Sequence, residues 1–494
     1  WQKVVHVGIV NPDKSTGAPY FYVGENIGIS GYTPGGLIVD TALKGTYFGE
    51  GGQIGQLQYG EVSNLWMIGG DWRYAQSSIL GTNSLQADST RKSVFGRASW
   101  ELTPDIEIFA QGSWAGYEGD SDYIRPTDRN RRIQIDNAFL PQTIRDQMIA
   151  EGITSFRLSS ARQDIPLSGA NNKRATSRFV VGADGSFDMA GKNFQWNTYY
   201  QNGFTDTDEH QNPTWNFANL AAASDAVFND DGEIVCRSDV AGCVPLNSFG
   251  VGVASPEALA FVLGRPRREQ EFTQDVVAFN ITSTDFEGWA GNIGLAAGFE
   301  WRKDEMDGFV DPKYSSGWKY GNYKVTTGQQ TVREAYVEAV VPLLASLEFS
   351  GAARRTDYSN SGGVNTWKAG LNYSPIDDIT FRLTQSRDIR APNLSELFDA
   401  GTARSNSVDI GGASVPFIQN LQGTPSVGPE EADAFGFGVV LQPSFIPGFA
   451  TSIDYYDIEV DGVIGFLSAE QVANACFLFN QQNYCDQLRY DSAG

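Results

Sequence analysis

The sequence predicts an all-β protein, a partial transmembrane antiparallel β-barrel with long loops at one end. Three observations lead to this fold class. The 494 residues are rich in Gly and aromatic side chains and contain only 4 Met. Many segments alternate apolar and polar residues, which is typical of strands with one apolar and one polar face. The connections between these segments are alternately short and long, as in membrane-spanning barrels.

The alternation is clearest in residues 291–302. Ile293, Leu295 and Phe299 fall on one face, whereas Glu300 and Arg302 fall on the other. Each such segment is near the length that a tilted strand needs to cross a bilayer. From Ser93 onward we predict about a dozen strands, and the pattern of 291–302 recurs in 364–373, 379–387 and 434–441.

The predicted connections fall into two classes. Short turns are expected at 103–105, 342–346 and 374–378. Structureless loops of several tens of residues would count against a compact soluble domain. In a barrel they form the outer face, so we predict long extracellular loops over about 118–177, 205–271, 304–331 and 389–430.

Residues 1–90 are less periodic than the rest of the chain. We predict mostly one long extracellular loop there, with one or two strands, and the transmembrane strands and their loops over 91–494. Ser255 and Pro256 are suited to the N-cap and the first position of a helix. Three loop segments are predicted to be helical: 141–150, 256–263 and 468–478.

Charge and hydropathy exclude two classes of protein. The chain has 36 Lys and Arg against 59 Asp and Glu, a formal charge of −23. Nucleic-acid binding needs clustered basic residues for phosphate contacts, so no nucleic-acid partner is predicted. No stretch of about 18 apolar residues is present, which predicts that no transmembrane helix forms.

The four cysteines form two local pairs, Cys236 with Cys243 and Cys476 with Cys485. Short-range pairs in loops favour disulfides in an oxidising compartment. A zinc site is the alternative, but neither spacing is CxxC and no His lies near either pair. The acidic loop 229–233 is compatible with calcium ligation, although it lacks the twelve-residue spacing. We therefore predict no metal, cofactor or catalytic residue.

The stretch 332–398 contains three spaced motifs, Pro342-Leu343, Asp357-Tyr358-Ser359 and Arg390-Ala391-Pro392. With these motifs it resembles the middle of the barrel of TonB-dependent outer-membrane receptors. The loop around Cys243, Leu246 and Phe249 is similar to one in the branch common in sphingomonad-like and caulobacter-like bacteria. The motif residues of the first stretch are Glu334, Glu338, Pro342, Leu343, Arg354, Asp357, Tyr358, Ser359, Trp367, Lys368, Ser386, Arg390, Ala391, Pro392, Glu396 and Leu397.

The resemblance implies a Gram-negative receptor in the cell outer membrane, in contact with lipid and lipopolysaccharide. Such receptors take up a scarce small nutrient, for example a siderophore, cobalamin or carbohydrate, and catalyse no reaction. A full barrel of the family has 22 strands, of which we expect about 12 here, with the C-terminal strands missing. The plug domain is expected to be absent as well, together with the N-terminal segment that contacts the TonB complex.

Two groups of loop residues are candidate ligand contacts. Arg125, Arg129, Arg131 and Arg132 form a cationic cluster that would attract an anionic ligand, bridge acidic loops or bind lipopolysaccharide phosphates. Aromatic residues would stack on a ligand or pack the loops. They are Tyr20, Tyr22, Trp318, Tyr320 and Tyr323.

The motif of Arg390, Ala391, Pro392, Glu396 and Leu397 is interpreted as structural. Pro392 would end a strand where the chain leaves the membrane, and Arg390 would anchor it. Two alternatives to a receptor stay open. One is a secreted all-β carbohydrate-binding or hydrolytic protein, in which the apolar strand faces would be buried. The other is a passive porin.

Overall fold

A computed structural model describes residues 7–10, 21–63, 65–74, 84, 86–123, 125–410 and 413–489. Its main feature is a 12-stranded antiparallel sheet. The strands, in chain order, are β1 (Asp88–Thr103), β2 (Ile106–Asp122), β3 (Gly169–Met189), β4 (Lys192–Gln211), β5 (Arg267–Glu287), β6 (Asn292–Val310), β7 (Gly328–Leu344), β8 (Leu347–Tyr358), β9 (Gly362–Ile376), β10 (Ile379–Arg390), β11 (Glu430–Leu441) and β12 (Thr451–Asp461).

Every strand of this sheet pairs with the next one along the chain, so the sheet is a simple meander. Within the described residues β1 and β12 do not pair with each other, and the sheet is open. The prediction of an all-β, partial antiparallel barrel with about 12 strands is confirmed.

The connections lie alternately at the two ends of the sheet because consecutive strands are antiparallel. One end has the short connections 104–105, 190–191, 288–291, 345–346, 377–378 and 442–450. The other end has one short turn, 359–361, and the long connections 123–168, 212–266, 311–327 and 391–429. The alternation of short and long connections was therefore predicted correctly.

The predicted boundaries of two short turns were wrong. Pro342 and Leu343 lie within β7, and residues 374–376 lie within β9. The register shifts between Pro342 and Leu344, so the proline occupies an irregular position at a strand end, where its missing N–H is tolerated. The strands also extend further into the long connections than predicted. The outer end of β4, residues 205–211, is polar on both faces and shows no alternation.

The two faces of the sheet differ in polarity. Phe299 pairs with Phe279 and Ala335, and on this face apolar side chains point into open space. Val337 on the same face is 59% exposed. On the opposite face, Gln274 donates a hydrogen bond to Asp304. Toward the end with long connections the apolar face also becomes polar, since Asn202 donates to Asp275 there.

The described residues of 7–70 form eight short strands, whereas one or two strands were predicted for residues 1–90. Strands of two to five residues are too short to display a period, so the sequence pattern did not reveal them. They are Val7–Val10, Phe21–Gly24, Ile27–Ile29, Leu37–Ile38, Thr46–Phe48, Ile54–Gln56, Tyr59–Ser63 and Trp66–Gly70.

Much of the buried hydrophobic core lies at the end with long connections. Here Leu37–Ile38, Thr46–Phe48 and Ile54–Gln56 join Thr127–Gln134 and Ser155–Ala161 in a five-stranded sheet. Helix α1 (Gln142–Ala150) covers one face of it, where Phe48, Ile133, Ile144, Met148 and Phe156 are buried together. We call the described parts of 27–74, 123–168, 212–266 and 311–327 the loop layer.

Two further helices of the loop layer are α2 (Phe217–Ser224) and α3 (Pro256–Val262). They pack around Trp215 in a second buried cluster. The side chain of Ser255 accepts a hydrogen bond from the Ala258 amide, so α3 begins as predicted. The pairs Thr214–Trp215 with Leu263–Gly264, and Ala226–Phe228 with Ile234–Cys236, complete this part.

The remaining elements follow β6, β10 and β12. They are a 3-10 helix, Pro312–Tyr314; α4 (Leu394–Phe398); the hairpin Thr402–Ile410 with Ala413–Leu421; α5 (Ala469–Phe477); and α6 (Gln482–Cys485). The predicted helices at 141–150, 256–263 and 468–478 thus all form. Among the residues that the structure describes, no helix is both long enough and apolar enough to span a membrane.

Candidate ligand-binding site

The predicted arginine cluster lies on and just before the edge strand Thr127–Gln134 of the loop layer, and two of its members are held by neighbouring groups. Arg131 makes two hydrogen bonds to the carboxylate of Asp128, at 2.6 and 2.9 Å. Arg125 donates to the carbonyl oxygen of Gln163 at 3.3 Å. Both guanidinium groups therefore have structural partners close by.

Arg129 and Arg132 are the other two members of this cluster. The guanidinium of Arg129 lies over the ring of Tyr32, 4.9 Å from its centroid. Such a contact orients an exposed cation without neutralising it. Arg132 is exposed and lines a cavity of about 520 Å³. These two arginines keep their charge available to a ligand.

The predicted aromatic residues of 311–327 have different degrees of exposure. Trp318 is buried, and its ring N–H donates to the carbonyl oxygen of Lys313 at 2.7 Å. Tyr320 and Tyr323 are half-buried, and Arg268 lies 5.2 Å from the centre of the Tyr323 ring. Burial raises the pKa of Tyr323 to about 12, so its hydroxyl stays protonated.

Lys319, which the sequence analysis did not single out, joins the arginine and aromatic groups. Its ammonium donates to both the carbonyl and the hydroxyl oxygen of Thr127. Its backbone amide donates to Trp215 O at 2.9 Å. Burial lowers the pKa of Lys319 to about 8; nearby Asp128 opposes this shift and Arg129 adds to it. A lysine between two aromatics, Trp318 and Tyr320, was the available sequence signal.

Tyr20 and Tyr22 complete the aromatic candidates. Tyr22 belongs to the strand Phe21–Gly24. Tyr20 lies outside the described residues.

Of the candidate residues and their neighbours, the structure brings Arg129, Lys319 and Tyr320 together.

The motif around Arg390 forms a closed ionic unit at the end of β10. Its guanidinium donates to both carboxylate oxygens of Glu430, at 2.7 and 2.9 Å, and to Glu396 at 3.0 Å. Glu396 also accepts from the Asn393 amide, as the capping box of α4. Leu397 and Pro392 are buried, whereas Ala391 is half-buried. The Nε, Nη1 and Nη2 atoms of Arg390 all donate to protein carboxylates.

Both cysteine pairs form disulfides, Cys236 with Cys243 and Cys476 with Cys485. The first closes a loop beside Arg237, which bonds to Asp136 and Asp225. The second joins α5 to α6. In the acidic turn 229–233, the side-chain oxygen of Asn229 accepts from the amides of Asp231 and Glu233. Within the described residues, no group of three or more His, Cys, Asp or Glu could hold a metal ion.

Residues 146–490 match the family model described as TonB dependent receptor-like, beta-barrel. This match spans more than half of the chain, and the chain belongs to the TonB-dependent receptor family. The resemblance of the stretch 332–398 is therefore confirmed. No curated protein matches the sequence.

Several solved structures are similar to this chain. A mutant of the ferric enterobactin receptor PfeA from Pseudomonas aeruginosa has 13% identity and a TM-score of 0.45, covering 77% of this chain and 44% of that one. The siderophore receptor PirA from Acinetobacter baumannii has 14% identity and a TM-score of 0.41, with 75% and 43% covered.

The RagAB peptide importer in its "closed-closed" state has 12% identity and a TM-score of 0.41, with 75% and 40% covered. The chain spans less than half the length of each of these three proteins.

Proposed function

We propose that this chain supplies twelve barrel strands and the adjoining outer loops of a Gram-negative outer-membrane receptor. The receptor takes up a scarce small nutrient, such as a siderophore, cobalamin or carbohydrate, using energy that the TonB complex transmits from the inner membrane. The observation that carries this proposal is the two-faced sheet with a folded layer over one end only.

The apolar face suits contact with lipid. Leu295 and Phe299 point into open space, and no described element of the chain covers them. In a bilayer, such side chains stabilise a barrel because they meet hydrocarbon. We therefore assign this face to outer-membrane lipid and the outer ends of the strands to lipopolysaccharide.

The polar face suits a water-filled interior. Arg354 bonds to Glu334 at 3.0 Å, and Thr356 donates to the same carboxylate at 2.9 Å. Buried polar groups are retained where they are hydrogen-bonded or hydrated. In the receptor this face would line the lumen around a plug, and the plug's N-terminal segment would engage the TonB complex.

The loop layer would face the outside of the cell and contribute to ligand capture. Arg129 and Lys319 carry positive charge beside the half-buried ring of Tyr320. Positive groups on a strongly acidic protein attract anionic solutes locally. Of the predicted ligand contacts, we propose Arg129, Arg132, Tyr320 and Tyr323 for the binding surface, and a supporting role for Arg125, Arg131 and Trp318.

Spin labels on neighbouring residues test the membrane assignment. Because the four native cysteines are paired, one cysteine introduced at Leu295 or at Ala296 can be labelled selectively in the full chain. We expect the Leu295 label to be relaxed by oxygen dissolved in lipid. The Ala296 label, on the polar face, should respond to a water-soluble nickel reagent. Equal access of the nickel reagent to both labels would favour the secreted β-protein.

Uptake by cells tests the transport assignment. In a strain that expresses the complete receptor, uptake of its nutrient should stop when the inner-membrane TonB complex is deleted. A strain that lacks the receptor gene is the control for other routes of entry. Uptake that continues without the TonB complex would favour the passive porin.

A further inference from the structure

Arg132 and Arg157 face each other in the five-stranded sheet of the loop layer. They are direct cross-strand partners in the antiparallel pair of Thr127–Gln134 with Ser155–Ala161. Side chains in such positions lie on the same face, with Cβ atoms about 4.5–5.5 Å apart. Like charges placed directly opposite destabilise a sheet. The pair therefore needs negative charge nearby.

The protein neutralises only one of the two arginines. Arg157 Nε donates to Asp40 Oδ2 at 2.9 Å, and the Arg157 amide donates to Asp40 Oδ1 at 2.7 Å. Arg132 makes no ion pair or side-chain hydrogen bond with any residue that the structure describes. With Asp40 counted, the pair retains one net positive charge.

An open cavity of about 520 Å³ lies at this charge. Its lining includes both arginines, Asp40, Asn130 and Ser155. A volume of this size is within the range of small-molecule sites. On the opposite face of the same strands, Ile133 and Phe156 are buried in the core, so the strand backbones beneath the arginines are firmly held.

We propose that Arg132 and Arg157 bind an oxyanion, a phosphate or carboxylate group, in this cavity. Arg132 offers an uncommitted planar fork of N–H donors, which matches two oxygens of such a group. Arg157 adds charge from the opposite strand, and the bound anion relieves the repulsion between the two guanidinium groups. The inference deepens the proposed function and rests on it for its biological meaning.

Inorganic phosphate is the first probe, titrated calorimetrically into the full chain in detergent at constant ionic strength. Arg132→Gln should weaken phosphate binding at least about tenfold, since hydrogen bonds to charged groups are among the stronger ones. Asp40→Asn keeps an oxygen that can accept from the Arg157 amide but removes the competing negative charge. It should therefore tighten phosphate binding severalfold. Arg91→Gln, on β1, is the matched control and should leave binding unchanged.

The opposite responses of the two variants make the test decisive. Arg132→Gln relieves like-charge repulsion, so without phosphate its melting temperature should equal or exceed that of the parent. Phosphate should raise the melting temperature of the parent and not that of Arg132→Gln. Unchanged phosphate affinity in Arg132→Gln, or weaker affinity in Asp40→Asn, would overturn the proposal.

Vesicles identify the source of the anion. If the chain binds lipopolysaccharide vesicles more strongly than neutral phospholipid vesicles, and Arg132→Gln loses this difference, the site is assigned to a lipid phosphate. Equal binding to both vesicles, with phosphate binding retained, assigns it to a soluble anion. Because these measurements need no uptake, failure of the anion site is distinguishable from failure of the spin-label or TonB tests.

Discussion

The ammonium of Lys319 donates hydrogen bonds to the carbonyl and hydroxyl oxygens of Thr127, 192 residues earlier in the chain. This contact ties the connection 311–327 to the start of the strand Thr127–Gln134. The next residue, Tyr320, bonds through its amide to Thr214 Oγ1 at 3.2 Å. Three separate connections therefore meet at one lysine, and its protonation affects how firmly they are joined.

We predict that the stability contributed by Lys319 increases with pH above about 8. Burial lowers its pKa in the folded protein to about 8 from 10.5. Between these two values the unfolded chain binds more protons than the folded one, so the free energy of unfolding rises with pH. The gain is roughly 3 kcal/mol at most, because one pKa unit corresponds to about 1.4 kcal/mol. Thermal unfolding at pH 7.5 and 9.5 measures it.

Lys319→Met is the matched variant, because it retains the apolar stem and removes the titrating group. The difference in melting temperature between parent and variant should become more favourable to the parent at pH 9.5. A difference that is the same at both pH values would contradict a lowered pKa at this lysine.

Gly35 is expected to tolerate no side chain. An added Cβ would lie 2.8 Å from both Gly250 C and Val251 N, and against Phe48 O, all of them backbone atoms. Gly35→Ala should therefore destabilise the loop layer by about 1–3 kcal/mol, the usual cost of overpacking. The measurement is chemical unfolding followed by fluorescence.

Gly112→Ala is the control for this substitution. Gly112 lies within β2, and a Cβ there would meet no atom within 4 Å. Since Ala also restricts the unfolded chain, the control should be neutral or slightly stabilising. Equal unfolding free energies for the two variants would show that the backbone of 249–251 does not approach Gly35 closely.

Arg390→Lys is predicted to loosen α4 without unfolding the sheet. A lysine is a single point charge and cannot donate to both oxygens of Glu430 while also reaching Glu396. Backbone amides of α4 should exchange with solvent several times faster, as measured by hydrogen–deuterium exchange. Arg387→Lys is the control, because Arg387 bonds to Asp433 on the same pair of strands. If the amides of α4 exchange at similar rates in both variants, Arg390 does not hold α4 in a way that Arg387 does not.

The large sheet could be predicted because the alternation of apolar and polar residues is visible within each strand's own segment. In β6, Leu295 and Phe299 alternate with Gly298 and Glu300, and this pattern alone specifies a two-faced strand. The turn at 342–346 was misplaced because Pro342 is normally a strand breaker and here occupies an irregular strand end. The local alternation therefore predicted the number of strands and their two faces, but it predicted the ends of the strands only approximately.

The candidate site was predicted only in part because it depends on contacts between distant segments. Arg129, Arg132 and Tyr320 were identified by residue type, but residue type does not indicate that Arg129 would lie over the ring of Tyr32. The partners Lys319 with Thr127, and Arg157 with Asp40, are separated by 192 and 117 residues. Their pairing follows from how the loop layer folds, which spacing along the chain does not reveal.

Val337→Arg distinguishes a lipid-facing sheet from a water-facing one. Val337 is 59% exposed on the apolar face, between Ala297 and Ala353. In water an arginine there would cost little, whereas near the middle of a bilayer it should destabilise the barrel by about 2–4 kcal/mol. Ala352→Arg, on the polar face beside Glu338, is the control and should be nearly neutral. Urea unfolding of the complete receptor in vesicles measures both variants, and a neutral Val337→Arg would contradict lipid contact at this face.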